Sequence, residues 1–272
     1  MTHSRPGLRA LLEQGGLAPR RELGQNFMVD PNTVRRIVDL ADVRAGDRVI
    51  EIGAGLGSLT LGLAETGADI TAIEVDPGLA RTLKELTAGL RTVTVVEGDA
   101  MTLDWVALVG GGPRIIVANL PYNIATPLVC DLLDTVPGIE RMLVLVQDEA
   151  ADRFVAGPGS KVYGAVSVKV AHHAVATKVG RVPATVFMPK PNVESALVDI
   201  RRRVHPESIG IDAAVMNNVV RTAFGQRRKM LRRSLDGLVS AQAFSTAGID
   251  PTRRPEQLGL NDWYRLTRAV SE

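Results

Sequence analysis

The chain has 272 residues, 45% of them hydrophobic and 23% charged, so it can bury a real core and is neither a disordered nor a fibrous sequence. A single cysteine, Cys130, excludes an internal disulfide framework and any multi-thiolate zinc or iron–sulfur site. Net charge is only +2, yet residues 201–272 carry 13 Lys+Arg against 7 acids, and residues 1–36 carry 6 arginines against 3 acids. Two basic ends around an acidic middle suit either a polyanion held by both or two solvated basic faces.

The first residues, MTHSRPGLRALLEQGG, lack the continuous apolar core of a signal peptide. The longest charge-free apolar stretch, Ile115 to Cys130, contains Pro121 and Pro127 and is too short for a membrane span. The expectation is a cytoplasmic protein without a membrane partner. Asp30 followed by Pro31 forms a helix start, with Val34, Ile37, Val38 and Ala41 at helical spacing behind it. From Arg44 five short β-rich runs follow: DRVIEIG, ADITAIEVD, RTVTVVEGD, RIIVANL and RMLVLVQ. Helical stretches separate most of them, which predicts an α/β fold with a mainly parallel, Rossmann-like sheet and helices on both faces. Runs near Val166–Ala171 and Ala196–Ile200 are expected as edge strands. Beyond RRRVHPESIG only helical patterns remain, at 213–224, 227–238, 241–247 and 262–270. A boundary near residue 204 therefore predicts an α/β domain over 1–203 and a small all-helical domain over 204–272.

Open α/β sheets bind ligands beyond the carboxyl ends of their strands. The first strand ends in Gly53-Ala-Gly55-Leu-Gly57-Ser58, and Ser58 stands where a dinucleotide fingerprint needs its third glycine. The phosphate-loop pattern is absent as well. Glu74, 21 residues after Gly53, suits a ribose, with Asp76 as the competing acid. Asp99 and Ala100, after the third strand, suit the amine of an adenine. An adenosine without phosphates fits S-adenosylmethionine. The fourth strand runs into Asn119-Leu120-Pro121-Tyr122, either a simple turn or an amide kept for use beside that pocket. His172 and His173 are expected to be structural or surface residues, and no metal motif is present.

The segments ELGQNFMVD (22–30), EIGAGLG (51–57), EVD (74–76), GDA (98–100), NLPY (119–122), FMPKPNVESA (187–196) and FGQRRKMLRRSL (224–235) resemble, in order, the ribosomal RNA adenine N6-dimethyltransferases. Within that family the resemblance is to the bacterial small-subunit (16S) branch. It implies a methyltransferase acting on two adjacent adenosines near the 3′ end of 16S RNA during ribosome assembly. It also implies S-adenosylmethionine at Asn26, Met28, Gly53, Gly55, Gly57, Glu74, Asp99, Ala100 and Asn119. Catalysis falls to Asn119, Leu120, Pro121 and Tyr122, with Tyr122 and Phe187 stacking on the base unless Phe187 is a core aromatic. Arg227, Arg228, Lys229 and Arg232 become the RNA grip, with Met230 and Leu231 facing inward. Met28 departs from the more usual leucine, and Arg233 from a common asparagine. The expected partner is the small-subunit precursor, and the expected state a monomer. Two rivals share many of these features: the large-subunit adenine methyltransferases of macrolide resistance, and an assembly factor without catalysis.

Overall fold

The computed structural model describes residues 3–110, 112–203 and 208–271. Ser4 caps helix α1 (Arg5–Gln14) by accepting from the Gly7 amide, and Leu8 and Leu12 form its buried face. A two-residue strand β1 (Phe27–Met28) follows, then α2 (Pro31–Ala41). The carboxylate of Asp30 accepts from the Asn32 and Thr33 amides and Pro31 opens the helix, as its punctuation predicts.

The five expected strands are β2 (Arg48–Ile52), β3 (Asp69–Glu74), β4 (Val93–Glu97), β5 (Arg114–Asn119) and β6 (Ile139–Gln147). Between them lie α3 (Ser58–Ala64), α4 (Pro77–Thr87), α5 (Trp105–Val109) and α6 (Tyr122–Thr135). Then come α7 (Asp148–Val155), α8 (Ala165–His173), β7 (Ala174–Val182), the short β8 (Phe187–Met188) and β9 (Ser195–Arg202). The seven-stranded sheet has the order β4-β3-β2-β5-β6-β9-β7. Strands β2 to β6 pair in parallel, and β9 runs antiparallel to β6. Strand order reverses between β2 and β5, which opens a crevice above their carboxyl ends. Separately, β1 pairs with β8, matching Phe27 to Met188 and Met28 to Phe187.

Three sequence expectations change here. Ala196–Ile200 lies in β9, an inner strand between β6 and β7 rather than an edge strand, which fits its burial. Val166–Ala171 is helical rather than a strand: the Ser167 hydroxyl accepts from the Gly164 amide at the helix start, and Val168 and Val170 are buried together. Its alternating valines imitate a strand period, but the cap selects the helix. The expected helix over 227–238 shrinks to α10 (Leu231–Ser234), because Met230 is extended and residues 226–229 form a turn. Around it lie α9 (Ala213–Gly225), α11 (Ala241–Ala247) and α12 (Leu260–Ser271).

The chain divides into two compact units, Met1–Ala151 with Thr177–Arg201, and Asp152–Ala176 with Arg202–Glu272. The sequence boundary at residue 204 lies outside the described residues. The excursion 152–176 joins the helical unit because Tyr163 and Val168 belong to its core, with Phe244, Trp263 and Leu266. Cys130 is buried within α6 and is not part of a disulfide.

In the first unit Arg141 fastens α2 to the sheet. Its guanidinium pairs with Asp199 at 2.7 Å and donates to the carbonyls of Leu40 and Ala41, the orphan acceptors at the helix end. Both charged side chains are 13% exposed. Asp199→Ala strands this guanidinium, and the expected loss of unfolding free energy is about 2–4 kcal/mol in urea titration.

Candidate functional site

The loop after β2 is built on left-handed glycines, with φ of 72° at Gly53, 58° at Gly55 and 81° at Gly57. A Cβ on Gly53 would stand 3.3 Å from Pro121 Cδ and 3.5 Å from the Asn119 carbonyl oxygen. One on Gly55 would stand 3.1 Å from the Phe27 ring. These two glycines let three segments of chain converge on the crevice. Gly57 serves a different contact, since its Cβ would lie 2.6 Å from Leu83 of α4. Ser58, the residue that breaks the dinucleotide pattern, donates its hydroxyl to the Met28 carbonyl at 2.8 Å and ties β1 to the start of α3.

Glu74 is buried, and both its oxygens accept from the backbone: Oε2 from Gly55 at 2.7 Å and Oε1 from Asp76 at 2.9 Å. Across the crevice Asn119 Nδ2 donates to the Asn26 carbonyl at 3.1 Å. That bond fixes which end of the Asn119 amide faces Asn26 and assigns Oδ1 as its acceptor end. Asn26 Nδ2 donates to the Gly24 carbonyl at 3.0 Å. Pro121 begins α6, and the Tyr122 hydroxyl shares a 2.6 Å hydrogen bond with Ser195 Oγ. The cleft is lined by Asn26, Met28, Gly53, Gly55, Glu74 and the turn Asn119–Tyr122, among others.

Its charge is one-sided. The lining contains Glu51 and Glu74 but no lysine, arginine or histidine. Burial pushes the Glu51 carboxyl up to about 8, the polar groups of Thr60 beside it oppose the shift, and the nearby Glu74 adds to it. Glu74 is likewise raised by burial, against the pull of the Asp76 and Gly55 amides. A cleft lined by acids and by no cation is unsuited to phosphates.

Five sequence-derived residues stand outside this lining. Asp99 is exposed and accepts from the Met101 amide, while Ala100 is buried outside the lining. Gly57 packs against α4 as described. Phe187, expected as a stacking partner, is fully buried in the sheet's core cluster with Met28 and Leu197. The core reading of Phe187 is therefore the one the structure adopts. Asp76 is the α4 cap, accepting from Gly78 and Leu79 and pairing with Arg20 at 3.4 Å. Conversely, Glu51 lines the cleft although its sequence position, inside an apolar strand, marks only a buried acid. An acid within such a run is the one signal that pointed to it.

The ribosomal RNA adenine dimethylase family matches residues 16–272. The chain belongs to this family. It is 47% identical to "Ribosomal RNA small subunit methyltransferase A" of Cutibacterium acnes, over 97% of this chain and 93% of the relative. It is 44% identical to the protein of that name from Streptomyces coelicolor, over 95% and 93%. Among solved structures, 23S rRNA methyltransferase ErmE matches with a TM-score of 0.69 and 26% identity, covering 91% of this chain and all of that one. A dimethyladenosine transferase from Plasmodium falciparum shares the fold, with a TM-score of 0.74 at 24% identity over 88% and 95%.

Two basic segments of this dimethylase differ from their sequence reading. In the N-terminal arm Arg5 donates to the carbonyls of Thr185 and Phe187, and Arg20 pairs with Glu22 and Asp76. Leu8 and Leu12 pack with Phe27, Leu56 and Leu79, so the arm buttresses the cleft. In the helical unit Arg227 pairs with Glu256 at 2.8 Å and donates to the Ser160 carbonyl at 3.0 Å. Arg228, Lys229, Arg232 and Arg233 are exposed. Leu231 is buried as expected, but Met230 is 41% exposed. His172 bonds the Tyr264 hydroxyl at 3.0 Å and packs edge-on against His173. No cluster of metal-ligating side chains occurs among the described residues, and no helix is long and apolar enough to cross a membrane.

The raised Glu51 carboxyl gives a pH test. The folded protein keeps a proton that the unfolded chain releases above its ordinary 4.5, so stability falls as pH rises from about 4.5 to about 8. Glu51→Gln flattens most of that fall in denaturant titrations at pH 5, 7 and 9. The variant gains on the order of a few kcal/mol at the alkaline end.

Proposed function

We propose that this dimethylase transfers methyl groups from S-adenosylmethionine to the N6 amines of two adjacent adenosines near the 3′ end of 16S ribosomal RNA, in a precursor of the small subunit. The observation that carries the reading is the Asn119 amide, oriented by Asn26 at the mouth of a cleft that holds acids and no cations. S-adenosylmethionine, when bound, supplies an electrophilic methyl carbon on a sulfonium. Gly53 and Gly55 give it a close backbone wall, Asn26 and Met28 a side, and Glu74 a carboxylate whose oxygens each retain a second lone pair for a ribose. Asp99, exposed just after β4, is assigned the amine of the adenine, with Ala100 buried beside it.

The N6 amine is a poor nucleophile because its lone pair is delocalised into the adenine ring. Asn119 Oδ1 and the Leu120 carbonyl accept its two N–H groups and favour a more tetrahedral nitrogen. Pro121 fixes the turn that presents that carbonyl. Tyr122, its hydroxyl anchored on Ser195, offers a ring for the extruded base to stack on. Positioning supplies most of the acceleration, and no strong base is needed, since the amine becomes acidic only as it gains carbon. Arg228, Lys229 and Arg232 contact phosphates of the RNA.

The match to ErmE supports a second reading, methylation of large-subunit RNA. The higher identity to small-subunit relatives favours the first. Methyl transfer from labelled S-adenosylmethionine to unmodified small subunits, beside naked large-subunit RNA, decides between them. Dimethyladenosine in the small subunit alone is expected. Asn119→Ala lowers turnover at least about a hundredfold while cofactor affinity, read by calorimetry, changes about threefold or less. Equal losses in both would remove Asn119 from the chemistry.

A further inference from the structure

One cation of the expected RNA grip, Arg227, is already paired. Arg227 holds Glu256 through Nε and the Ser160 carbonyl through Nη2, and both arginine and glutamate are about one-third exposed. Ser160 lies in the loop 156–162, AGPGSKV, which belongs to the helical unit although it sits far from it in sequence. Further bonds fix this loop in the same place. The Gly159 amide donates to the Glu256 carbonyl at 2.8 Å, and the Val162 amide donates to Ser160 Oγ at 3.3 Å. The Tyr163 hydroxyl donates to the Leu258 carbonyl at 2.9 Å, with its ring edge-on to Phe224.

The loop so held presents an exposed lysine, Lys161, and an exposed valine, Val162, and contains no acid. The turn on the other side of Arg227 presents Arg228 and Lys229, followed by Arg232 and Arg233, again with no acid between 225 and 235. Glu256 takes the Gly159 amide on its backbone carbonyl, while its carboxylate is paired with Arg227.

We propose that loop 156–162 and the 226–233 segment form one RNA-binding surface, in which Lys161 contacts phosphate and Arg227 is a positioning residue that joins the two loops. This rests on the reading of the protein as an RNA-binding methyltransferase and assigns that reading a second contact element. Lys161 and the neighbouring cations supply a positive field to a polyanion, while the glycine-rich loop lets a backbone approach closely. A direct phosphate contact from Arg227 demands release of Glu256, so the two roles are exclusive and predict opposite signs.

The test is binding of the full-length protein to unmodified small ribosomal subunits over a range of salt concentrations. Lys161→Ala lowers the salt slope by about one, as Arg228→Ala does. Glu256→Ala removes a negative charge from a polyanion-binding face, yet weakens binding about threefold to tenfold because Arg227 loses the carboxylate that holds its guanidinium on the Ser160 carbonyl. Arg227→Ala and Arg227→Ala/Lys161→Ala bind equally, since the lysine contact is already lost. Tighter binding by Glu256→Ala, or an unchanged slope for Lys161→Ala beside a lowered one for Arg228→Ala, overturns the proposal and leaves the RNA reading standing. An unchanged slope in all variants, Arg228→Ala included, overturns both. Lys161 is exposed, so its variant keeps the test decisive should the Arg227 or Glu256 variants fail to fold.

Discussion

The buried carboxylate of Glu74 is the fixed point of the cleft. It closes β3 against the loop after β2 by taking one backbone amide from each side, Gly55 at 2.7 Å and Asp76 at 2.9 Å. Burying an acid raises its pKa and costs stability, and the two charge-assisted bonds offset part of that cost. The left-handed backbone at Gly53 and Gly55 follows from this clamp, because the chain must turn within three residues to bring the Gly55 amide to the carboxylate. Once the loop is held, Pro121 and Phe27 can close on it from two sides.

Around that point the protein separates opposite electrostatic demands. A sulfonium donor needs no phosphate binder, and the cleft has no cation in its lining, while Glu51, pushed up to about 8, is neutral at pH 7. RNA demands the reverse, and the helical unit carries an acid-free run of exposed cations, Arg228, Lys229, Arg232 and Arg233. The N-terminal arm shows that a basic composition does not by itself make an RNA grip. Arg5 and Arg20 are spent on carbonyls and acids of the first unit, where they hold α1 over the cleft wall formed by Phe27 and Leu56.

The same distinction applies to aromatic residues. Tyr122 and Phe187 carry equal promise in the sequence, since both adjoin prolines in segments that mark the family. Tyr122 opens a helix at the mouth of the cleft with its hydroxyl anchored, whereas Phe187 is taken into the core by the β1–β8 pairing opposite Met28. Nothing within a few residues of either side chain distinguishes these fates.

What the sequence by itself determined is local or ordered along the chain: the five parallel strands, the Asp30–Pro31 helix start, the glycine loop, the Asn119–Tyr122 turn and the family. Each rests on spacing within about two helical turns or on segments in a fixed order, and such signals survive without coordinates. Tertiary structure alone decided the rest. It returned residues 152–176 to the helical unit, paired Arg227 with Glu256 and with a carbonyl 67 residues away, and placed Glu51 under the cleft. A side chain's role depends on the partner it meets, and packing, which brings distant residues together, chooses that partner.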